Sequence, residues 1–512
     1  MYHNPIIRGF APDPSICHAD GFYYLVNSTF EYFPGLPVWK SPDLVNWSYC
    51  TSVLTRTSQL PLSESLNNQG LYAPTIRFNG KRFYVVNTNK FTHENFVVHA
   101  DRIEGPWSEP SFVYKTGIDP SLLFLPDGSC FYVSNGRDDA GKQGIFGQFI
   151  NPDTGKLQGE MQLLTYGCGG HSVEGPHIYL INGWYYLLVA EGGTGSSHHV
   201  CMLRSKDIFG PYEQNPRNPI LCHLDRKGHE IQCTGHADLI QSPVGDWYAV
   251  FLATRLAKKH YGSPLGRESF LAPVTWVDEW PVIGNNGSVE LQMEGPKAEQ
   301  KDRSDLSFSF DQDLSTYPFL KVRVPNDECY RLDVRRRQLT LVGGCSLETH
   351  LGHPTLLAVR QPEFESVFKT VLNTATLTGK AGIAVFHNSN YHYRLEIQKE
   401  QALDSSLLRV NLYRHVHDIG VVTESVTIPM KDTLELEIKS TREAYFFFVG
   451  GQLIAQASTL GMAIGATFDG SFTGTLFALW AEAGSATFLD GFTLTAKEDD
   501  WANPILNSQS NI

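Results

Sequence analysis

Three carboxylates stand at comparable points of this chain: Asp13 in APDPSI, Asp119 in GIDPSLLF and Glu174 in VEGPHIY. Each lies just ahead of, or at the start of, a short apolar run that reads as a β-strand. Singly, Asp13 and Asp119 read as turn residues, because Asp-Pro before a strand is common turn chemistry. The prolines on either side of Asp13 stiffen that turn, since proline sets its own φ and restricts the residue before it. Glu174 resists this reading, because a carboxylate buried at the start of an inner strand is costly without a purpose. Three carboxylates in one pit repel, so at least one stays protonated near neutral pH. A protonated acid beside an ionised base is what glycoside hydrolysis requires. One protonates the leaving oxygen, and the other activates water or attacks carbon. A third can tune the acid and hold a sugar hydroxyl.

The elements that would gather these residues repeat along the chain. DPSICHADGFYYLV, APTIRFNGKRFYVV, DPSLLFLPDGSCFYVS, GPHIYLINGWYYLLVA and HADLIQSPVGDWYAVF begin at Asp13, Ala73, Asp119, Gly175 and His236. Each is a small or polar residue, a short strand, a Gly-containing turn and an aromatic strand. Further strand signals follow, such as VWKSPDLVNW and FVVHADRIEGPW, giving about four strands per unit. Repeats of about 40–50 residues with four strands each are the signature of a β-propeller. The fold class is therefore all-β, with a five-bladed β-propeller over residues 1–300. In a closed ring the five equivalent positions converge on the axis, so Asp13, Asp119, Glu174 and His236 are expected around one funnel. After MEGPKAEQKDRSD, a charged linker, alternation returns without the blade pattern in YRLEIQ, LELEIKS and GTLFALWA. This predicts a β-sandwich over 301–512.

Composition narrows the partners. The formal charge of −13 argues against nucleic acid or an anionic membrane. No apolar run approaches the roughly 20 residues of a membrane span. The nine cysteines are scattered, odd in number and lack a CxxC, which predicts free thiols in a reducing compartment. With no basic n-region or apolar h-region in MYHNPIIRGF, a cytoplasmic protein is expected.

The stretches NPIIRGFAPDPSI, STFEYFPGLPVWKSPDLVNW, GLYAPTIR, GIDPSLLF, VEGPHIY, WYYLLVAEGGT, TGHADL and PLGRESFLAPVTW carry a resemblance. They resemble, in order, glycoside hydrolase family 43, in its β-xylosidase/α-L-arabinofuranosidase branch with a C-terminal β-sandwich. The resemblance implies an inverting enzyme with Asp13 as general base, Glu174 as general acid and Asp119 as modulator of its acidity. It implies a sugar pocket walled by Phe30, by Tyr72 and Ala73 of GLYAPT, and by Thr194, with Arg267 reaching in to hydrogen-bond sugar hydroxyls and lower the pKa of a neighbouring carboxylate. It puts His236 at the channel floor, where the family sometimes holds a cation, although no cofactor is required. Phe472 in FTGTLF matches an aromatic that the sandwich contributes to the pocket. The implied partner is a small oligosaccharide, and relatives often self-associate as homo-oligomers.

Two departures bear on substrate. Tyr72 stands where close β-xylosidases usually carry Trp, and Gly195 follows Thr194 where they often have Phe. The missing ring opens the pocket and leans toward release of arabinofuranosyl groups. Cys345, His350 and His353 in CSLETHLGH match no zinc spacing, so no metal site is assigned. AEGGTGSSHH opens no helix and is no phosphate loop.

Overall fold

The computed structural model describes residues 1–498 apart from 60, 61, 63, 114–116, 258–261, 401–405 and 466–470. Five antiparallel sheets follow one another in chain order, and in each the strands run outward in sequence order. Their inner strands are Ser15–Ala19, Thr75–Phe78, Ser121–Phe124, Glu174–Ile181 and Ile231–Gln241. These open blades I to V at the five repeats named above. Blade IV carries an extra short strand, Leu221–Cys222, beside His199–Ser205. The ring closes where Tyr2–His3 pairs with Gln292–Met293 and Asn4 exchanges hydrogen bonds with the backbone of Leu271 in blade V. Because each blade is a meander, the turn before its first strand and the turn between its second and third strands open on the same face. That face collects the residues of interest.

The second unit is a sandwich. Six strands (in order Thr355–Arg360, Leu476–Glu482, Lys380–Asn388, Tyr391–Lys399, Leu407–Val416, Ile419–Pro429) face an eight-stranded sheet centred on Ser485–Lys497 and Glu365–Asn373. In ESVFKTVLN the buried residues alternate, as period-2 geometry demands for a sheet with one face on a core. Phe368, Leu395, Phe447, Phe477 and Phe488 fill the space between the sheets. Among the described residues the helical content is three single 3-10 turns, and no helix is long and apolar enough to cross a membrane.

The two units share a core. Phe10, Phe30 and Tyr32 of the propeller pack with Leu356, Phe386 and Trp480 of the sandwich. Lys321–Val322 pairs with Tyr32–Phe33 of blade I. Arg255 bridges Glu268 in blade V and Glu363 in the sandwich at 2.6–2.7 Å, all three buried. Gly474 lies so close to the Leu265–Gly266 backbone that a Cβ would meet the Leu265 carbonyl at 2.3 Å, so any side chain there would push the sandwich off the propeller mouth. The charged linker is strapped down as well, with Gln300 accepting from the His3 amide and Arg303 donating to the Pro5 carbonyl.

Candidate active site

The mouth of the propeller holds a cavity of about 440 Å³, a size suited to one or two sugar rings. Asp13, Asp119, Glu174, Phe30, Tyr72, Ala73, Thr194, His236, Arg267 and Phe472 all line it, so the four residues that the repeat places on one ring meet there with those that the resemblance implies. Four of the five ring positions have left-handed backbone: Asp13 (φ 52°), Asp119 (55°), Gly175 (55°) and His236 (46°). Residues other than glycine rarely adopt this conformation, and it clusters where surrounding structure over-determines it. The fifth, Ala73, is not among the positive-φ residues, and it carries no polar group to aim.

Asp13 is held from several sides. Asn27 donates to the Ala11 and Pro12 carbonyls at 3.0 and 2.8 Å, anchoring the turn. Ser28 Oγ donates to one carboxylate oxygen at 2.5 Å and Arg267 Nη1 to the other at 3.1 Å. His236 Nδ1 lies 3.9 Å from that second oxygen. Burial alone would raise the pKa of the Asp13 carboxyl. The Arg267 guanidinium, His236 and the Ser28 hydroxyl outweigh it, so the carboxyl lies below its ordinary value and stays ionised.

Glu174 is the opposite case. Burial, then the charges of Asp119 and Asp13, push its carboxyl well above the ordinary range against a weaker pull from Arg267. Its backbone is fixed by Asn135, whose Nδ2 donates to the Val173 carbonyl at 2.5 Å, and by a bulge that breaks the register between Glu174 and His177. Asp119 accepts from the Gly175 amide at 3.0 Å, so it grips the backbone beside Glu174. Burial also raises Asp119, with His236 opposing and Asp13 reinforcing. A Cβ on Gly175 would stand 3.1 Å from the His236 ring, which closes the space below the acid.

Arg267 is buried, not the exposed ion-pair partner that an isolated arginine suggests. It also donates to Thr194 Oγ1 at 2.9 Å and to the Phe472 carbonyl at 3.1 Å, with its guanidinium carbon 5.6 and 5.4 Å from the Phe30 and Phe472 ring centres. Phe30, Tyr72 and Phe472 form a three-ring cluster at 5.4–6.0 Å. Phe30 is therefore both shared core and cavity wall. Asn68 fixes the cluster by accepting from the Phe472 amide and, through its carbonyl, from the Tyr72 hydroxyl.

Sequence reasoning missed Ser28, Asn135, Asn68, Ser172 and His198. His198 lines the cavity beside the glycine-rich stretch 192–197. That stretch, set aside as no phosphate loop, is the turn between the second and third strands of blade IV, and its strand position is the signal that could have flagged it. The cation envisaged near His236 gains no support from the structure. Among the described residues, no group of three ligand atoms gathers there, and the one group that could hold a metal lies elsewhere.

A carboxylic acid held protonated in one cavity with an ionised carboxylate, at the mouth of a propeller, defines a class: the glycoside hydrolases. Comparison with known proteins narrows it. The family model for glycosyl hydrolases family 43 matches residues 2–281, and that for the beta xylosidase C-terminal Concanavalin A-like domain matches 307–488. The chain is 35% identical over 497 residues to a non-reducing end alpha-L-arabinofuranosidase of Bacteroides ovatus, covering 94% of this chain and 91% of the relative. It is 35% identical over 418 residues to a xylosidase/arabinosidase of Butyrivibrio fibrisolvens, covering 78% and 80%. The solved structure of the Bacteroides ovatus xyloglucan PUL GH43B superposes with a TM-score of 0.89 at 33% identity, covering 97% of this chain and all of that one. The chain belongs to glycosyl hydrolases family 43.

Proposed function

We propose that the protein is an exo-acting, inverting glycosidase that releases non-reducing-end α-L-arabinofuranosyl groups from short arabino- or arabinoxylo-oligosaccharides. The observation that carries the chemistry is the opposite displacement of two carboxyls in one cavity, Asp13 down and Glu174 up. Glu174 gives its proton to the glycosidic oxygen as the bond to the anomeric carbon breaks. A water attacks that carbon from the other face and loses its proton to Asp13, so the configuration inverts. Asp119 keeps Glu174 protonated by its negative charge and holds the Gly175 amide. Arg267 keeps Asp13 ionised and offers donors to sugar hydroxyls. For this route the two carboxyls should lie about 6.5–9.5 Å apart in the sugar complex.

The exo mode is supported by Phe472, which brings the sandwich against the Phe30–Tyr72 wall and narrows that side of the cavity. The choice of arabinofuranose rests on the open wall at Gly195, on Tyr72 and on the name of the Bacteroides ovatus relative. A second reading, β-D-xylosidase or dual specificity, is favoured by the Butyrivibrio fibrisolvens relative. We further propose a reducing compartment and imported oligosaccharides as substrate, in keeping with nine scattered cysteines that lack a CxxC. Hydrolysis of 4-nitrophenyl α-L-arabinofuranoside and β-D-xyloside tests the order: the arabinoside should have the higher kcat/KM, and a strong preference for the xyloside overturns it. Proton NMR of the first-formed product should show the inverted anomer, and net retention would remove the mechanism.

A further inference from the structure

Blade IV carries a second cluster of chemically capable groups that the sugar chemistry does not use. Glu191 ends the second strand, Trp184–Glu191, and pairs with His199. Cys201 lies two residues further along the third strand, and Cys222 pairs with His199 from the other side. Residues paired or two apart share a face, so Glu191, His199, Cys201 and Cys222 project from one side of the sheet. Cys168, in the segment between blade III and Glu174, lies over that side: its amide and that of Gly170 donate to the two Glu191 carboxylate oxygens. The sulfurs of Cys168 and Cys201 and a carboxylate oxygen of Glu191 all lie within 4.8 Å of one another.

We propose that Cys168, Cys201 and Glu191, with His199 as fourth ligand, form a site for one thiophilic divalent cation of the zinc class. Two thiolates, a carboxylate and an imidazole are a zinc-type donor set. Two sulfurs at about 2.3 Å from a tetrahedral ion stand about 3.8 Å apart, inside the observed spread. The surrounding atoms already orient the ligands. His199 Nδ1 lies 2.8 Å from the Ser197 carbonyl, an acceptor, so that nitrogen carries a proton and Nε2 is the ring nitrogen turned to the cluster. Nε2 in turn faces Glu191 Oε2 at 3.8 Å, an ion pair when a proton lies on Nε2; a bound cation takes the place of that proton, which passes to solvent. Asn218 Nδ2 donates to Cys168 Sγ at 3.2 Å, as outer partners of metal ligands do. Glu191 and Cys201 are buried while Cys168 and His199 are half-buried, which leaves a way in. On binding, the cation replaces the two thiol protons, which pass to solvent. It would clip the segment that delivers Glu174 to the strand leading into the Gly192–His198 cavity wall.

The site does not rest on the sugar chemistry and is tested without it. Full-length protein stripped with a chelator is titrated with ZnCl2 by calorimetry and with Co2+ by visible absorption. A single ion per chain is expected, with thiolate-to-cobalt charge-transfer bands. Cys168→Ser should weaken binding by about 10–100-fold, while Cys345→Ser, outside the cluster, should leave it unchanged. In the unaltered protein, saturating Zn2+ should slow alkylation of Cys168 at least tenfold, read by peptide mass. Absence of stoichiometric binding, binding that survives Cys168→Ser at full strength, or Cys168 alkylation unaffected by Zn2+ would each overturn the proposal.

Discussion

Two buried clusters of charge lie along the same propeller axis, and they are built on opposite terms. Deeper in the channel, Asp238 of blade V receives Arg77 of blade II at 2.7 and 3.1 Å, the Tyr179 hydroxyl at 2.7 Å and Ser15 Oγ at 2.7 Å. His177 joins Arg77 at 2.9 Å and Ser121 at 3.1 Å. Every blade contributes to this cluster, blade IV with two residues, Tyr179 and His177, and the one carboxylate meets one guanidinium. Burial alone would raise Asp238; Arg77 and then His177 overcome this and hold it well below the carboxylate range. At the mouth, three carboxylates confront one guanidinium, and two of the three are pushed up. The floor is matched in charge, whereas the mouth is mismatched, and in the proposed mechanism that mismatch keeps a proton where a leaving group needs one.

The contrast has a sign in pH. Asp238 has a depressed folded-state value, so its contribution to stability is complete above its unfolded pKa of about 3.9 and is lost as pH falls through the folded value. Glu174 has a raised value, so its favourable contribution is present below about 4.3 and is lost as pH rises through the folded value. Acid therefore loosens the floor, and alkali stresses the mouth.

Breaking the mouth should produce the largest change. Asp13→Asn and Glu174→Gln each remove one half of the proton relay, so kcat on oligosaccharides should fall about 10³–10⁴-fold, with the melting temperature unchanged or higher. An aryl glycoside with a good leaving group should restore much of the Glu174→Gln rate and little of the Asp13→Asn rate. Either variant retaining turnover within tenfold of wild type would undo the assignment of roles.

Breaking the floor should act on stability instead. Asp238→Asn leaves Arg77 buried without its charge partner, a loss of about 3–5 kcal/mol, measured as a shift in the denaturant midpoint. Turnover per folded molecule should stay near wild type. A large fall in kcat with unaltered stability would mean that the two clusters are one catalytic unit and that the division drawn above is false.

What the sequence disclosed follows from what repeats. Each blade spends an aromatic hairpin at a regular interval, so five blades, their inner strands and the convergence of Asp13, Asp119, Glu174 and His236 were legible. Asp238 lay in full view two residues beyond His236, in HADL, yet its role was not. Its partner Arg77 is 161 residues away, and only closure of the ring sets that distance. The left-handed backbone at the ring positions was also hidden, because the proline after Asp13 and Asp119 favours extended backbone at the residue before it and His-Ala carries no sign of φ. Asn135, on the strand Cys130–Arg137, acts through its side chain, and Asn68, on a turn, through its side chain and carbonyl; neither contact follows from the period of the repeat. The resemblance to a family supplied Phe30, Arg267 and Phe472, whose pairings cross the two units and leave no local trace.

The smallest predicted change is the most discriminating, because it adjusts the mismatch without abolishing it. Asp119 acts on Glu174 in two ways, as a negative charge and as acceptor for the Gly175 amide. Asp119→Asn removes the first and can keep the second, since the amide oxygen still accepts. With that charge gone, ionised Glu174 becomes less unfavourable, so its pKa falls. The alkaline limb of the kcat/KM profile, which reports loss of the acid's proton, should then move to lower pH by roughly one unit. The acid limb belongs to Asp13, whose depressed value owes its pull to Arg267, His236 and Ser28, and it should stay in place. If kcat fell uniformly while both limbs held still, Asp119 would be a backbone anchor alone, and the proton on Glu174 would be owed to burial and Asp13.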